Sequence, residues 1–227
     1  MSKKLYIIHG WTYDLTPWEK VAELLKKQGI TAELLRVPGL TEPSHRAWTI
    51  KNYADWANHN IPDGAIALGH SNGGRILLNL LSENPEKLSG LILLDSAGIY
   101  ERSAKRSILR VIAKIFAPFR HIKSLRKLFH KFLGASDYDK APENMKRTLH
   151  NMIVSDKQLD ISEITTPTQI IWGSADTTTP LRQGEKLHQR LKNSKLIIKQ
   201  GWPHSQYLKS PEELAKTIAR SFEELSA

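Results

Sequence analysis

The sequence reads Gly69-His70-Ser71-Asn72-Gly73-Gly74 between a short apolar run, 65–68, and a pattern of helical periodicity that ends near Glu83. This is the pattern G-x-S-x-G in the strand–turn–helix setting that it requires. Glycines at positions 69 and 73 remove side chains where a strand and a helix crowd each other. The start of the helix offers N–H groups and positive potential to an oxyanion. A plain glycine-rich turn is the alternative, but the setting favours an exposed, nucleophilic Ser71.

Five further apolar runs of strand length alternate with longer helical patterns. That alternation is typical of a parallel sheet covered by helices on both faces. At the first helix, Thr16 before Pro17 predicts an N-cap, and Gly29 predicts the C-terminal end. The predicted fold class is therefore α/β, a mostly parallel sheet of about six strands flanked by helices. The predicted strands are 4–8, 31–36, 65–68, 91–94, 169–172 and 195–199, and the predicted helices are 17–28, 50–58, 73–83, 181–191 and 211–224.

The composition excludes several classes of protein. Of 227 residues, 40% are hydrophobic and 25% are charged, a balance that argues against a disordered or fibrous chain. The absence of cysteine excludes disulfides, thiolate metal sites, iron–sulfur clusters and a cysteine nucleophile. The apolar run near the N-terminus is too short for a signal peptide, and no run of about 18 apolar residues is present. We therefore expect a cytoplasmic protein, soluble or peripheral to a membrane.

The base and the acid that a serine nucleophile needs follow later strands. A serine hydroxyl is a weak nucleophile near neutral pH, so Ser71 needs a base, and the base needs an orienting carboxylate. Asp176 leaves the fifth predicted strand and His204 leaves the sixth. Because the C-terminal ends of parallel strands share one edge of a sheet, these side chains are expected to converge. Asp95, which leaves the fourth strand, is the competing carboxylate, and it can equally cap its own turn.

A second motif, His9-Gly10-Trp11-Thr12, ends the first predicted strand. An oxyanion hole requires two converging N–H donors, and the backbone N–H groups of Trp11 and Asn72 are the predicted pair. His9 is interpreted as a structural histidine that holds this turn by hydrogen bonds. His70, beside the nucleophile, is interpreted as a packing or pocket-lining residue.

These motifs occur in an order that resembles the α/β-hydrolase superfamily, in its small, lid-bearing form. The matching elements are His9-Gly10-Trp11, the turn at 69–73, an acid loop at 172–180 that follows the pattern W-G-x-x-D-x-x-x-P, and His204. Two features depart from larger members. The sheet lacks two leading antiparallel strands, and no further glycine follows His9-Gly10.

The resemblance implies acyl transfer to Ser71 followed by hydrolysis, with His204 as base and then acid and Asp176 orienting the imidazole. Serine at position 71 disfavours haloalkane dehalogenase and epoxide hydrolase activities, in which relatives carry aspartate. A small ester or related acyl substrate is expected, and no metal or organic cofactor is required. The alternatives are cleavage of a thioester, an amide or a carbon–carbon bond with the same residues, or a hydrolase-fold ligand receptor or scaffold.

The excess positive charge is concentrated in one segment. The chain has 33 Lys and Arg residues against 23 Asp and Glu residues, a net charge of +10. Residues 99–134 hold ten of these basic residues and one acidic residue, Glu101, in two amphipathic helical patterns broken near Pro118. We predict that 99–160 forms a helical lid after the fourth strand, and that 1–98 and 161–227 form the hydrolase core.

Two interpretations of the basic lid remain open. Its apolar faces can pack over the active site while its charges are solvated. Alternatively, basic amphipathic helices can contact an anionic membrane surface or admit an anionic acyl substrate. Nucleic acid is the least favoured partner, because stacking aromatic residues are not interleaved with the basic ones.

Overall fold

Six parallel strands alternate with helices through residues 4–100 and 141–227, the part of the chain that the computed structural model describes. The strands are β1 (Lys4–Ile8), β2 (Thr31–Leu34), β3 (Ala65–His70), β4 (Leu88–Leu94), β5 (Thr168–Gly173) and β6 (Ser194–Lys199). The helices are α1 (Thr16–Lys26), α2 (Ile50–Asn60), α3 (Asn72–Glu83), α4 (Glu143–Ser155), α5 (Leu181–Arg190), α6 (Gln206–Lys209) and α7 (Pro211–Ser226).

The order of strands across the sheet is β2-β1-β3-β4-β5-β6. β1 lies inside the sheet and β2 forms one edge beside it. The strands β3 to β6 then follow in order on the other side of β1. Every pairing is parallel. The loops that leave β1, β3, β4, β5 and β6 therefore emerge along one edge, which is where open α/β sheets bind ligands.

Two apolar clusters cover the two faces of the sheet. On one face, α1 and α7 bury large side chains that include Trp18, Leu25 and Phe222. On the other face, α2 and α3 bury a larger cluster that includes Tyr53 and Leu77. Each such side chain contributes about 1.5–3 kcal/mol when fully buried. Because the central strands are covered on both faces, they are continuous apolar runs, which is the pattern that predicted them.

The predicted fold class and all six predicted strands are confirmed, with differences at their ends. β4 begins at Leu88, earlier than predicted: Ser89 and Gly90 interrupt the apolar pattern, and the pairing with β3 continues past a register shift, with Leu88 opposite Ala65 and Gly90 opposite Ile66. β2 ends at Leu34 instead of Arg36. Every strand in the described ranges is parallel.

The two helix-end predictions have opposite outcomes. The N-cap prediction for Thr16 is wrong: Leu15 holds the cap position, and Thr16 already belongs to α1. The first N–H of the helix is bound from outside it, since Asp14 Oδ1 accepts the Thr16 N–H at 2.9 Å. Gly29 ends the helix as predicted, with a φ of 80° and with the Ile30 N–H donating to the Leu25 carbonyl at 3.1 Å.

The predicted lid, 99–160, falls mostly outside the described residues, because 101–140 are not described. Its last part forms α4, which is attached to the loop before α2. The Trp48 N–H donates to Thr148 Oγ1 at 2.9 Å, and Asn151 Nδ2 donates to the Trp48 carbonyl at 3.1 Å. Within the described ranges, no helix has both the length and the apolar character needed to cross a membrane.

Candidate active site

Ser71 lies on a strained turn between β3 and α3. Its φ of 52° and ψ of −116° are unusual for a residue with a side chain, and strain of this kind costs about 1–3 kcal/mol. The predicted close approach of strand and helix is present. A Cβ at Gly69 would lie 2.5 Å from the Gly74 nitrogen, and one at Gly73 would overlap the Ile8 carbonyl. The turn therefore depends on both glycines.

The three predicted side chains Ser71, His204 and Asp176 converge at the C-terminal edge of the sheet. His204 Nε2 lies 3.0 Å from Ser71 Oγ, and His204 Nδ1 lies 2.7 Å from Asp176 Oδ2. The carboxyl of Asp176 is fully buried, whereas the imidazole of His204 is 17% exposed. The loops that carry the acid and the base are joined directly, because the Ala175 N–H donates to the Trp202 carbonyl at 3.1 Å.

Asp176 is held by the residues that follow it. Its Oδ1 accepts the backbone N–H groups of Thr178 and Thr179 at 2.7 and 2.9 Å. The Thr179 hydroxyl lies 2.7 Å from the other oxygen, Oδ2. Burial by itself raises the pKa of Asp176, but the hydrogen bonds from His204 and Thr179 outweigh it and hold the pKa below its usual range. Asp176 is therefore an ionised acceptor at neutral pH, suited to orient the His204 ring.

Asp95, the competing acid, is buried in a different role. It lies just after β4 with a φ of 44° and no exposed surface. Its Oδ1 accepts the Gly173 N–H at 2.8 Å, which joins β4 to β5 instead of capping its own turn. No partner for its Oδ2 is found among the described residues. Burial raises the pKa of Asp95 to about 8, so this carboxyl is mainly protonated at neutral pH.

Two histidines flank the site without contacting the Ser71 hydroxyl. His70 Nε2–H donates to the backbone carbonyl of His204 at 3.0 Å, and the two rings are 4.9 Å apart. Burial and the neighbouring His204 lower the pKa of His70 to about 3, so its ring is neutral. His9 Nδ1–H donates to the Gly10 carbonyl at 2.7 Å, and its Nε2 accepts from the Thr41 hydroxyl at 2.8 Å. These contacts agree with the structural interpretation of His9 and the packing interpretation of His70.

The two predicted oxyanion donors, the N–H groups of Trp11 and Asn72, belong to the residues that follow Gly10 and Ser71 in the sequence. Gly10, which precedes Trp11, approaches so closely that a Cβ there would lie 2.9 Å from Ser71 Cβ. Asn72 is the first residue of α3, a position whose N–H has no partner within its own helix. Within the described ranges, neither the Trp11 N–H nor the Asn72 N–H has a protein acceptor. Both groups therefore remain available to a ligand.

Side chains that could hold a metal overlap these same groups. Among the described residues, His70, Asp95 and His204 have potential ligand atoms within 4.8 Å of one another. However, His204 uses both ring nitrogens toward Ser71 and Asp176, and His70 uses Nε2 toward the His204 carbonyl. A metal there would have to replace these hydrogen bonds.

Sequence reasoning missed the residues that support the site. The run of three threonines at 177–179, directly after Asp176, is the sequence feature from which the hydrogen-bond donors to the Asp176 carboxyl could have been predicted. Nothing in the sequence pattern pointed to the link between His70 and His204 or to the buried pair of Arg75 and Asp156, because these contacts join distant parts of the chain.

Known proteins similar to this chain agree with the fold. A sequence model of the α/β-hydrolase fold matches residues 4–211. A pimeloyl-[acyl-carrier protein] methyl ester esterase of Neisseria meningitidis serogroup B is 27% identical over 246 aligned positions, which cover 98% of this chain and 93% of that relative.

Two solved structures are similar over nearly the whole chain. A putative lipase of Acinetobacter baumannii superposes with a TM-score of 0.73 at 19% identity, covering 99% of this chain and 85% of that one. An α/β-hydrolase enzyme from the sediment metagenome of the Mar Chica lagoon in Morocco has a TM-score of 0.66 at 20% identity, and the match covers 100% of this chain and 93% of that one. With its parallel sheet, its serine turn and a family match from the first strand to the start of the last helix, this chain belongs to the α/β-hydrolase fold family.

Proposed function

We propose that this chain is a cytoplasmic serine hydrolase that cleaves a carboxylic ester or a related acyl compound through an acyl-enzyme on Ser71. The observation that carries the proposal is the continuous set of hydrogen-bond distances from Ser71 Oγ to His204, 3.0 Å, and from His204 to Asp176, 2.7 Å. Nucleophile, base and orienting acid in this geometry are the arrangement that acyl transfer requires.

The proposed reaction has two halves. Ser71 Oγ attacks the acyl carbon while His204 Nε2 takes the hydroxyl proton, and the carbonyl oxygen becomes an oxyanion that the N–H groups of Trp11 and Asn72 stabilise. Collapse expels the alcohol, which receives the proton from His204. A water molecule then attacks the acyl-enzyme, gives its proton to His204, and releases the acid as the Ser71 hydroxyl is restored.

The similarity to the meningococcal esterase suggests a narrower substrate. It extends over 98% of the chain, so we propose as a candidate substrate a methyl ester at the end of an acyl chain held by a carrier protein. The net charge of the segment 99–134, ten basic residues against one acidic, favours an anionic carrier or headgroup as the binding partner. Turnover of carrier-bound methyl esters would be compared with turnover of the free methyl esters.

The proposed division of the chain has a core, 1–98 and 161–227, and a lid, 99–160. Two contacts, one on each side of the stretch that is not described, support this division. Before it, the Ala97 N–H donates to the Ser71 carbonyl at 2.9 Å, within the proposed core. After it, Asp156 of the proposed lid contacts Arg75 on α3 of the core. Binding of the basic segment to an anionic membrane is a separate part of the proposal. Co-sedimentation with anionic and neutral vesicles at low and high salt tests it, and equal binding to both kinds of vesicle would contradict it.

The central test combines a covalent label with a substrate panel. A fluorophosphonate should label the wild type at one residue, Ser71, and should not label Ser71→Ala. A panel of esters with graded acyl length, together with thioester, amide and diketone substrates, identifies the bond that is cleaved. Ester hydrolysis that survives in Ser71→Ala would contradict the mechanism. A wild type that neither reacts with the label nor turns over any substrate would favour a ligand receptor or scaffold.

A further inference from the structure

A buried ion pair lies directly behind the serine turn. Arg75, on the first turn of α3, contacts Asp156 through two parallel hydrogen bonds: Nε to Oδ1 at 2.7 Å and Nη2 to Oδ2 at 2.9 Å. The two side chains are 7% and 9% exposed. A two-pronged contact of this kind sets the orientation of both groups, which a single contact between point charges does not do.

The same guanidinium has a second partner, which lies in the turn itself. Arg75 Nη1 donates to the side-chain oxygen of Asn72, the residue that follows Ser71. A free asparagine side chain at the start of a helix competes for nearby backbone groups and favours other turn conformations. Arg75 therefore holds the side chain of the residue whose backbone N–H is the proposed second oxyanion donor.

Asp156 connects Arg75 and Asn72 to the part of the chain that follows residues 101–140 in the sequence. It caps the C-terminal end of α4, the first helix described after that stretch. The other end of α4 is attached to the loop before α2, where Asn144 Nδ2 donates to the Ser44 carbonyl at 3.0 Å. Through the pair of Arg75 and Asp156, the position of α4 is thus coupled to the turn that carries Ser71.

We propose that Arg75 and Asp156 are positioning residues for the reaction at Ser71, which hold Asn72 so that its backbone N–H faces the developing oxyanion. A buried ion pair is a weak source of stability compared with well-packed apolar side chains. Its contribution here is the fixed geometry of Asn72. This inference rests on the proposed function, because it concerns the same transition state.

The test separates stability from positioning. Arg75→Met or Asp156→Leu alone leaves an unpaired buried charge and is expected to lower Tm by about 10 °C. The double variant, Arg75→Met with Asp156→Leu, removes both charges and is expected to recover most of that Tm. Because Asn72 stays unrestrained in the double variant, its kcat should remain about 10- to 100-fold below wild type, with KM little changed.

Two further measurements identify the affected step. A trifluoromethyl ketone, which forms a tetrahedral oxyanion on the serine, should bind more weakly to the double variant in proportion to the loss of kcat/KM. Arg75→Lys keeps the charge but cannot form the two-pronged contact, so it should fold and show a smaller loss of kcat. Lys87→Met is the matched control: Lys87 is a buried cation, 6% exposed and 2.6 Å from Asp63, at the opposite edge of the sheet. It should change Tm without changing kcat.

The outcomes are distinct. A double variant that recovers Tm together with wild-type kcat overturns the inference, since the pair would then be structural only. The same conclusion follows if Arg75→Lys folds and keeps wild-type kcat and ketone affinity. Ser71→Ala distinguishes this failure from failure of the proposed function, because ester hydrolysis that persists in Ser71→Ala removes the proposed function itself.

Discussion

Replacing Asp176 by asparagine should nearly abolish turnover while leaving the fold intact. Asp176 Oδ1 accepts two backbone N–H groups at 2.7 and 2.9 Å, so the asparagine carbonyl must take that position. Its NH₂ group then occupies the place of Oδ2, which lies 2.7 Å from His204 Nδ1. An NH₂ group can only donate, so Nδ1 loses its proton and Nε2 carries one toward Ser71 Oγ. In that tautomer, His204 cannot accept the serine proton.

The expected loss in kcat for Asp176→Asn is on the order of 10⁴-fold, equivalent to about 5 kcal/mol of transition-state stabilisation. Initial rates with a p-nitrophenyl ester measure it, and thermal melting confirms that the variant is folded. Asp95→Asn is the matched control. Its Oδ1 can keep the Gly173 N–H, and its carboxyl makes no hydrogen bond to His204, so kcat should stay within about 3-fold of wild type. A severe loss in Asp95→Asn together with a mild one in Asp176→Asn would refute this reasoning.

Three further predictions concern the turn and the buried acid. Ser71→Gly should abolish activity yet raise Tm by about 2–4 °C over Ser71→Ala, because glycine relieves the strain at a φ of 52°; a lower Tm than that of the alanine variant would contradict this. Gly73→Ala should destabilise the protein by about 3 kcal/mol or more in urea unfolding, since its Cβ overlaps the Ile8 carbonyl, whereas Gly29→Ala, with open space around it, should cost about 1 kcal/mol. For Asp95, a folded pKa of about 8 lies above the ordinary 3.8, so its contribution to stability is full below pH 4 and is lost as the pH rises toward 8. The free energy of unfolding of the wild type relative to Asp95→Asn should therefore fall by a few kcal/mol, on the order of 4, between pH 5 and pH 8.5, and an identical pH dependence in both would count against the raised pKa.

The fold could be predicted because its signals are local. Buried parallel strands leave continuous apolar runs, and the glycines at 69 and 73 mark a turn that tolerates no side chain. The ends of the strands were harder to predict than their existence. Leu88 and Gly90 belong to β4 although Ser89 and Gly90 are weak strand formers, because both pair with the neighbouring β3 across a register shift. The N-cap prediction for Thr16 failed because the helix begins one residue earlier than predicted: the Leu15 carbonyl accepts the N–H groups of Trp18 and Glu19, and Asp14 accepts the N–H of Thr16 itself.

The candidate site was predictable to the extent that parallel topology brings strand ends together. Ser71, Asp176 and His204 each follow a strand, so their convergence needs only the order of the strands. The choice between two acids could not be made in that way, because Asp95 and Asp176 both leave neighbouring strands at the same edge. Hydrogen bonding distinguishes them: Asp176 receives donors from its own loop and from His204, while Asp95 binds the Gly173 N–H.

The sequence alone therefore determined the α/β class, the serine turn and the identity of the candidate side chains, because these depend on residue type and on spacing along the chain. Only the tertiary structure decided which groups support them. His70 reaches the His204 carbonyl across 134 positions of sequence, and Arg75 reaches Asp156 across 81. Contacts of this kind have no periodicity or spacing of their own, since they arise only when packing brings separate elements within hydrogen-bond distance. The raised pKa of Asp95, which keeps its carboxyl mainly protonated, likewise follows from its burial in the tertiary structure.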